Sequence, residues 1–243
     1  MKIKIICPLT AESFEDETRQ EMKNFLSEDV YIDVERIKYG TASIEGEYDG
    51  ALAAPGILKA AQKAQEDGFD GIVISCMCDP AIEAAREIID IPVVGPGRTS
   101  MIYAADISHK FAVISVSAGV IPTVERIGRQ LGLGEKLVSV KALNMPVLEL
   151  GDKNKLVNAL TRKSIEVIDN FDAQAIILGC TGMMGVDALL EEDLRKNGYN
   201  IPVIYPIAVA IRYLESLIKL EMAHSRAAYG KPFKKERNIL YRI

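Results

Sequence analysis

The sequence contains no apolar run approaching the roughly 20 residues needed to span a bilayer, so no transmembrane helix is expected. It also lacks an excess of positive charge: 29 Lys and Arg stand against 34 Asp and Glu, for a net charge of −5. That balance argues against nucleic-acid or anionic-membrane partners, both of which favour clustered basic residues. The basic residues Lys231, Lys234, Lys235 and Arg237 near the C-terminus read as a solvated end. No leader peptide is expected, because Met1-Lys2-Ile3-Lys4-Ile5-Ile6 is already an alternating strand, and a cytoplasmic location follows as the expectation. Metal ligands are scarce. The chain has four cysteines (Cys7, Cys76, Cys78 and Cys180) and two histidines (His109 and His224). There is no C-x-x-C pair, and Cys76-x-Cys78 would have to recruit Cys7 or Cys180 to hold an ion, so no metal is expected. In a reducing compartment scattered cysteines are core residues, ligands or nucleophiles, not disulfides. His224 reads as structural, His109 as a surface residue and Cys7 as a pocket-wall or core residue.

The chain's 243 residues, 49% of them hydrophobic, suffice for a large core in one domain or two compact ones. Strands and helices alternate. Strands are expected at 2–7, 30–34, 71–75 and 91–95, and helices at 15–27, 57–66, 99–107 and from Asp79-Pro80, with Asp79 as N-cap and Pro80 as first helical residue. Residues 40–55 read as a long functional loop. The pattern then restarts. Lys110–Ser115 matches the first strand, Ile201-Pro202-Val203-Ile204-Tyr205-Pro206 repeats Ile91-Pro92-Val93-Val94-Gly95-Pro96, and Asn170-Phe171-Asp172 echoes Gly68-Phe69-Asp70. Helices are expected at 120–131, 155–168 and 207–222, and strands at 137–140 and 173–180. The implied fold is α/β: two doubly wound lobes with parallel sheets, related by duplication, residues 1–98 plus 207–243 forming one and 99–206 the other. Ligands sit outside the carboxyl ends of such strands. Cys7, Cys76, Ser115 and Cys180 all lie there, so a cleft between the lobes is the expected active site.

A thiol is a weak acid of pKa about 8.5, and a helix N-terminus favours its thiolate. Cys76 and Cys180 each precede an expected helix. A thiolate on one face of a planar carbon acid can take a proton while a thiol on the other face returns one, which inverts a stereocentre. Amides of Thr181, Gly182 and Met77–Asp79 are candidates to hold the developing negative oxygen. A lone cysteine at a strand end is most often core packing. Two of them at equivalent places in matching halves favour the catalytic pair.

These residues resemble the aspartate/glutamate/hydantoin racemase superfamily, and most of all its hydantoin racemases. The similarity runs nearly end to end through Ser43-Ile44-Glu45, Cys76-x-x-Asp79-Pro80 with Ala84-Ala85-Arg86-Glu87, Ile91-Pro92-Val93-Val94-Gly95, Leu178-Gly179-Cys180-x-Gly182-Met183, His224-Ser225-Arg226 and Tyr229. The resemblance implies a cofactor-independent racemase and a homo-oligomer. Cys76 (not Cys78) and Cys180 would be the acid/base pair. A small-molecule substrate, a 5-substituted hydantoin or related amino-acid derivative, would touch Leu9, Thr10, Ile44, Met77, Cys78, Asp79, Ser115, Val116, Thr181 and Gly182. The chain departs from the family's pattern at Leu9 (in place of Asn), Ser115-Val116 (Thr-Thr), Gly119 (a basic residue) and Tyr205 (Asp). Lost polar contacts argue against a small polar acid such as aspartate. Amino-acid racemisation, decarboxylation, cis–trans isomerisation and a non-catalytic binding role stay open. Decarboxylase relatives keep one of the two cysteines, which disfavours that branch.

Overall fold

A computed structural model describes residues 1–236 of the chain. Arg237 of the basic tail lies outside them, and Lys231 of that tail pairs with Asp90 at 2.6 Å. The first half carries strands β1 (Lys2–Cys7), β2 (Tyr31–Arg36), β3 (Gly71–Ile74) and β4 (Val93–Val94), in the order β2-β1-β3-β4. The second half repeats the order as β6-β5-β7-β8, with β5 (Phe111–Ser115), β6 (Leu137–Ala142), β7 (Ile176–Leu178) and β8 (Val203–Ile204). Every pair is parallel. Parallel strands need crossover helices and are covered on both faces. That explains why β1 is buried nearly throughout although its sequence alternates Lys with Ile. Lys4 is buried with it because β2 sets Asp33 at 2.7 Å and Glu35 at 2.5 Å from its ammonium.

The helices are α1 (Ser13–Met22), α2 (Glu47–Glu66), α3 (Ile82–Ile88), α4 (Pro96–Ile107), α5 (Ile121–Gln130), α6 (Lys153–Phe171), α7 (Asp187–Lys196) and α8 (Pro206–Lys219). The last helix of each half crosses over. α4 packs against β7 and α5, whereas α8 packs against β3 and β4. Gly71 admits this contact, since a Cβ there would stand 2.7 Å from Leu214 Cδ1. Among the described residues no helix is long and apolar enough to cross a membrane.

Two local expectations are corrected. The stretch 40–55 is not a long loop, because α2 starts at Glu47 and runs through Gly50 and Pro55. Its alanines are strong helix formers, and Gly56 is a packing residue: a Cβ there would meet Ile37 Cβ at 3.0 Å and the Tyr39 carbonyl at 3.1 Å. Asp79 does not cap its own helix. It and Ala81 have φ of +46° and +56°, which delays α3 until Ile82. The Asp79 carboxylate instead accepts from Gly97 N–H and Arg98 N–H, both at 2.9 Å, and so caps α4.

Beyond α8 the chain returns along the first lobe. Arg226 donates to the carbonyls of Arg86 and Ile89, Arg86 to the Tyr229 hydroxyl, and Val93 N–H to His224 Nε2 at 2.6 Å. An accepting Nε2 requires a neutral ring. Burial, then the charges of Arg86, Arg226 and Arg98, push the His224 pKa down to about 4. A depressed histidine contributes stability above its unfolded pKa of 6.5 and loses it as pH falls towards about 4. Hydrogen-exchange protection of the Val93 amide should therefore be level above that window and fall within it. A His224→Gln chain, whose acceptor does not titrate, should show no such fall. Protection in the wild type that ignores pH would refute this role.

Candidate active site

The two turns that leave β3 and β7 share one construction. Asp79 N–H closes onto the Cys76 carbonyl at 3.0 Å, and Met183 N–H onto the Cys180 carbonyl at 3.2 Å. Each cysteine is thus the first residue of a four-residue turn. The amide two residues on faces its sulfur: Gly182 N–H lies 3.4 Å from Cys180 Sγ, and the Cys78 N–H likewise favours the Cys76 thiolate. The expected helix starts are absent here, since α3 opens at Ile82 and α7 at Asp187. Left-handed backbone at Asp79, Ala81 and Gly185 intervenes. A turn amide, not a helix dipole, is therefore what each thiol receives.

That donor does not overcome burial. Burial pushes Cys180 up to about 12, with the charges of Cys76 and Glu45 adding to it and the Gly182 N–H opposing. The Cys78 thiol, hydrogen-bonded to Cys76, and then burial raise Cys76 well above the usual thiol range. Cys7, whose thiol faces Thr18, is likewise pushed up to about 12 by burial. The surroundings therefore oppose ionisation of all three thiols, and the helix N-terminus expected to favour a thiolate is not there to offset them.

Cys7, Cys76 and Cys180 line one cavity at the lobe junction. The loop after β1 adds Pro8 and Leu9, α1 adds Phe14 and Thr18, and the loop before α2 adds Ile44. Ser75, Thr181, Gly182 and Met184 come from the cysteine turns, and Val147 from the loop after β6. Two hydrogen bonds fix the turns: Thr181 Oγ1 donates to the Ser75 carbonyl at 3.2 Å, across the halves, and the Tyr205 hydroxyl to the Thr181 carbonyl at 3.3 Å. The departure at Tyr205 therefore places a brace under the Cys180 turn. Gly182 lets Phe14 close in, since a Cβ there would stand 2.8 Å from the ring.

Of the residues singled out in the sequence, the structure brings Leu9, Ile44, Cys76, Cys180, Thr181 and Gly182 to this cavity. It puts the others elsewhere. Thr10 donates its N–H to the Thr41 carbonyl. Met77 is buried in the core under α4. Cys78 and Asp79 border a separate polar cleft with Glu47 and Arg126. Ser115 is fully buried and donates to the Gly179 carbonyl. The carbonyls of Ser115 and Val116 accept from Leu143 and Met145 N–H, which anchors the loop that carries Val147. Phe14, Thr18, Ser75, Val147 and Met184 went unnoticed in the sequence. Phe14 could have been found as part of the apolar face of α1, while Val147 sits in a stretch with no periodicity to read. Among the described residues no group of three His, Cys, Asp or Glu is placed to hold a metal ion.

A family model described as Asp/Glu/Hydantoin racemase matches residues 3–214. A hydantoin racemase of Pseudomonas sp. (strain NS671) is 31% identical over 238 residues, covering 97% of this chain and 94% of that protein. A hydantoin racemase of Rhizobium meliloti is 33% identical over 193 residues, with 79% and 78% covered. Among solved structures, an allantoin racemase from Klebsiella pneumoniae superposes with a TM-score of 0.90 at 28% identity, covering 99% of this chain and 97% of that one.

Proposed function

The chain belongs to the Asp/Glu/hydantoin racemase family, and from that premise we propose that it is a cofactor-independent racemase of 5-substituted hydantoins, working through Cys76 and Cys180. The observation that carries the reading is the matched pair of turns, each presenting a thiol with an amide at its sulfur to one shared cavity. One thiol loses its proton to solvent and then takes the proton from C5 of the ring. The electron pair moves onto the adjacent carbonyl oxygen, where turn amides at Thr181 and Gly182 stabilise it. The second thiol delivers a proton to the opposite face, and the two sulfurs have exchanged protonation states. Proton exchange with solvent resets them. The walls of Leu9, Phe14, Ile44, Val147 and Met184 suit a ring with a partly apolar substituent better than a small dicarboxylate.

The test uses the wild-type protein and single enantiomers of 5-benzylhydantoin, 5-isopropylhydantoin, allantoin, aspartate and glutamate in D2O. Polarimetry and NMR should show loss of optical rotation together with deuterium entry at the stereocentre of one or more hydantoins, and none for the two amino acids. Racemisation of an amino acid alone would replace the substrate class. Binding without exchange across all five would favour a non-catalytic role.

A further inference from the structure

The cavity between the thiols is narrow and only partly open, and it offers about 30 Å³ of free space, enough for a water and too small for a hydantoin ring. Any organic substrate requires it to open. Two of its walls meet across the lobe boundary: Ile44 from the first half and Val147 from the second. Glu45 joins them. Its Oε1 accepts from Val147 N–H at 3.2 Å and from Ser43 Oγ at 2.9 Å. Its own carbonyl accepts from Ser117 Oγ at 3.3 Å. Glu47 continues the seam by accepting from Thr123 and Arg126. Gly119 allows the fit, because a Cβ there would lie 2.5 Å from the Glu45 carbonyl oxygen. The departure at Gly119 thus has a physical reason: a larger residue would lift residues 44–46 off the second lobe.

On the other side of Val147 lies an open groove of about 610 Å³ between α1 and residues 147–153. It shares Phe14, Val147, Gly182 and Met184 with the thiol cavity. Moving Val147 would merge the two. Val147 N–H is held to Glu45 by a single hydrogen bond of 3.2 Å at a part-buried seam between the halves, a contact that can open locally without global unfolding.

Resting on the thiol site proposed above, we propose that Glu45 is a latch: its carboxylate holds Val147 shut over the two cysteines, and substrate reaches them from the α1 groove when that bond is released. Glu45 is a positioning residue, and Gly119 is what lets it reach.

The test is the alkylation rate of Cys76 and Cys180 by iodoacetamide at fixed pH, read by mass spectrometry. Glu45→Ala and Gly119→Ala should each raise both rates roughly five- to tenfold, the factor expected for losing one hydrogen bond. Glu45→Gln keeps an oxygen for Val147 N–H and should restore slow alkylation. Gly119→Ala changes no charge, so its effect separates opening from any change of field at Cys180. Rates within twofold of wild type in both alanine variants would overturn the latch. Should a variant fail to fold, hydrogen exchange in the wild type decides: the Val147 amide must exchange far faster than core amides such as Ile5 and Val113, and equal protection would overturn the proposal. None of these readouts needs turnover, so a protein that racemises nothing would still report on the latch.

Discussion

Replacing either Cys76 or Cys180 by serine should abolish racemisation while leaving the fold intact. General acid–base groups contribute about 10²–10⁴-fold each, and a serine hydroxyl is too weak an acid to take over either role at neutral pH. The substitution is nearly isosteric, and both cysteines are half-buried at turns outside the sheets, so thermal stability should hardly move. The informative readout is the asymmetry. If each thiol serves one face, Cys76→Ser should still exchange the C5 proton of one enantiomer with deuterium, without inverting it, and Cys180→Ser should do so for the other. Because the Cys78 thiol and then burial raise Cys76, and burial raises Cys180, wild-type turnover should rise as pH is raised above 7. Cys78→Ser is the internal control. Cys78 borders a different cleft, and its thiol is one of the causes that raise Cys76, so its loss should leave the reaction in place and shift its pH dependence downwards. Racemisation that survives in both single variants at Cys76 and Cys180 would end the two-thiol mechanism.

Much of this arrangement was legible in the sequence because it rests on local signals. Short apolar runs bounded by Gly, Pro and Asp marked the strands, and their recurrence in two halves implied two matching parallel sheets. The position of Cys76 and Cys180 at equivalent strand ends followed from the same repeat. What was not legible depends on contacts between distant segments. Asp79 next to Pro80 has the local signature of an N-cap, and only the folded chain reveals that its carboxylate turns to Gly97 and Arg98. Gly50, Pro55 and Gly56 signal a loop, yet the last is an accommodation to Ile37 and Tyr39 within a continuous helix. Ser115 and Val116 point to the pocket by strand position, but a one-residue difference in facing decides between core and cavity. The thiol environment was misjudged for a related reason. A helix dipole acts only within a turn of the helix end, and left-handed residues displace both helices from the cysteines.

Asp79→Ala should be the most destabilising single change among the residues discussed. The carboxylate is buried, its two oxygens cap the Gly97 and Arg98 amides, and the Arg98 guanidinium lies 3.4 Å away, with Glu83 as its one other ion-pair partner among the described residues. Removing one member of a buried pair costs about 3 kcal/mol or more, since the other charge is left in place. For a chain of this size that corresponds to a melting temperature lower by about 6–12 °C. Activity should fall with it, because the Asp79 carboxylate ties the turn that presents Cys76 to the start of α4, and without it that turn loses its anchor. Asp79→Asn keeps the shape and one oxygen and should lose less. Its pH dependence carries a sign. Burial, against the opposing Arg98 and Gly97 amides and the Arg98 charge, pushes Asp79 up to about 6 from 3.8. A raised carboxyl contributes stability that is present below its unfolded pKa and lost as pH rises through its folded one. The deficit of Asp79→Asn relative to wild type should therefore shrink as pH rises from 3.8 to about 6. His224 works with the opposite sign over nearly the same window, so a melting curve of the wild type alone would show the two partly cancelled. The difference between wild type and Asp79→Asn removes the histidine, which is common to both. A deficit that widens with rising pH would mean that the Arg98 charge outweighs burial, and that Asp79 is ionised well below pH 6.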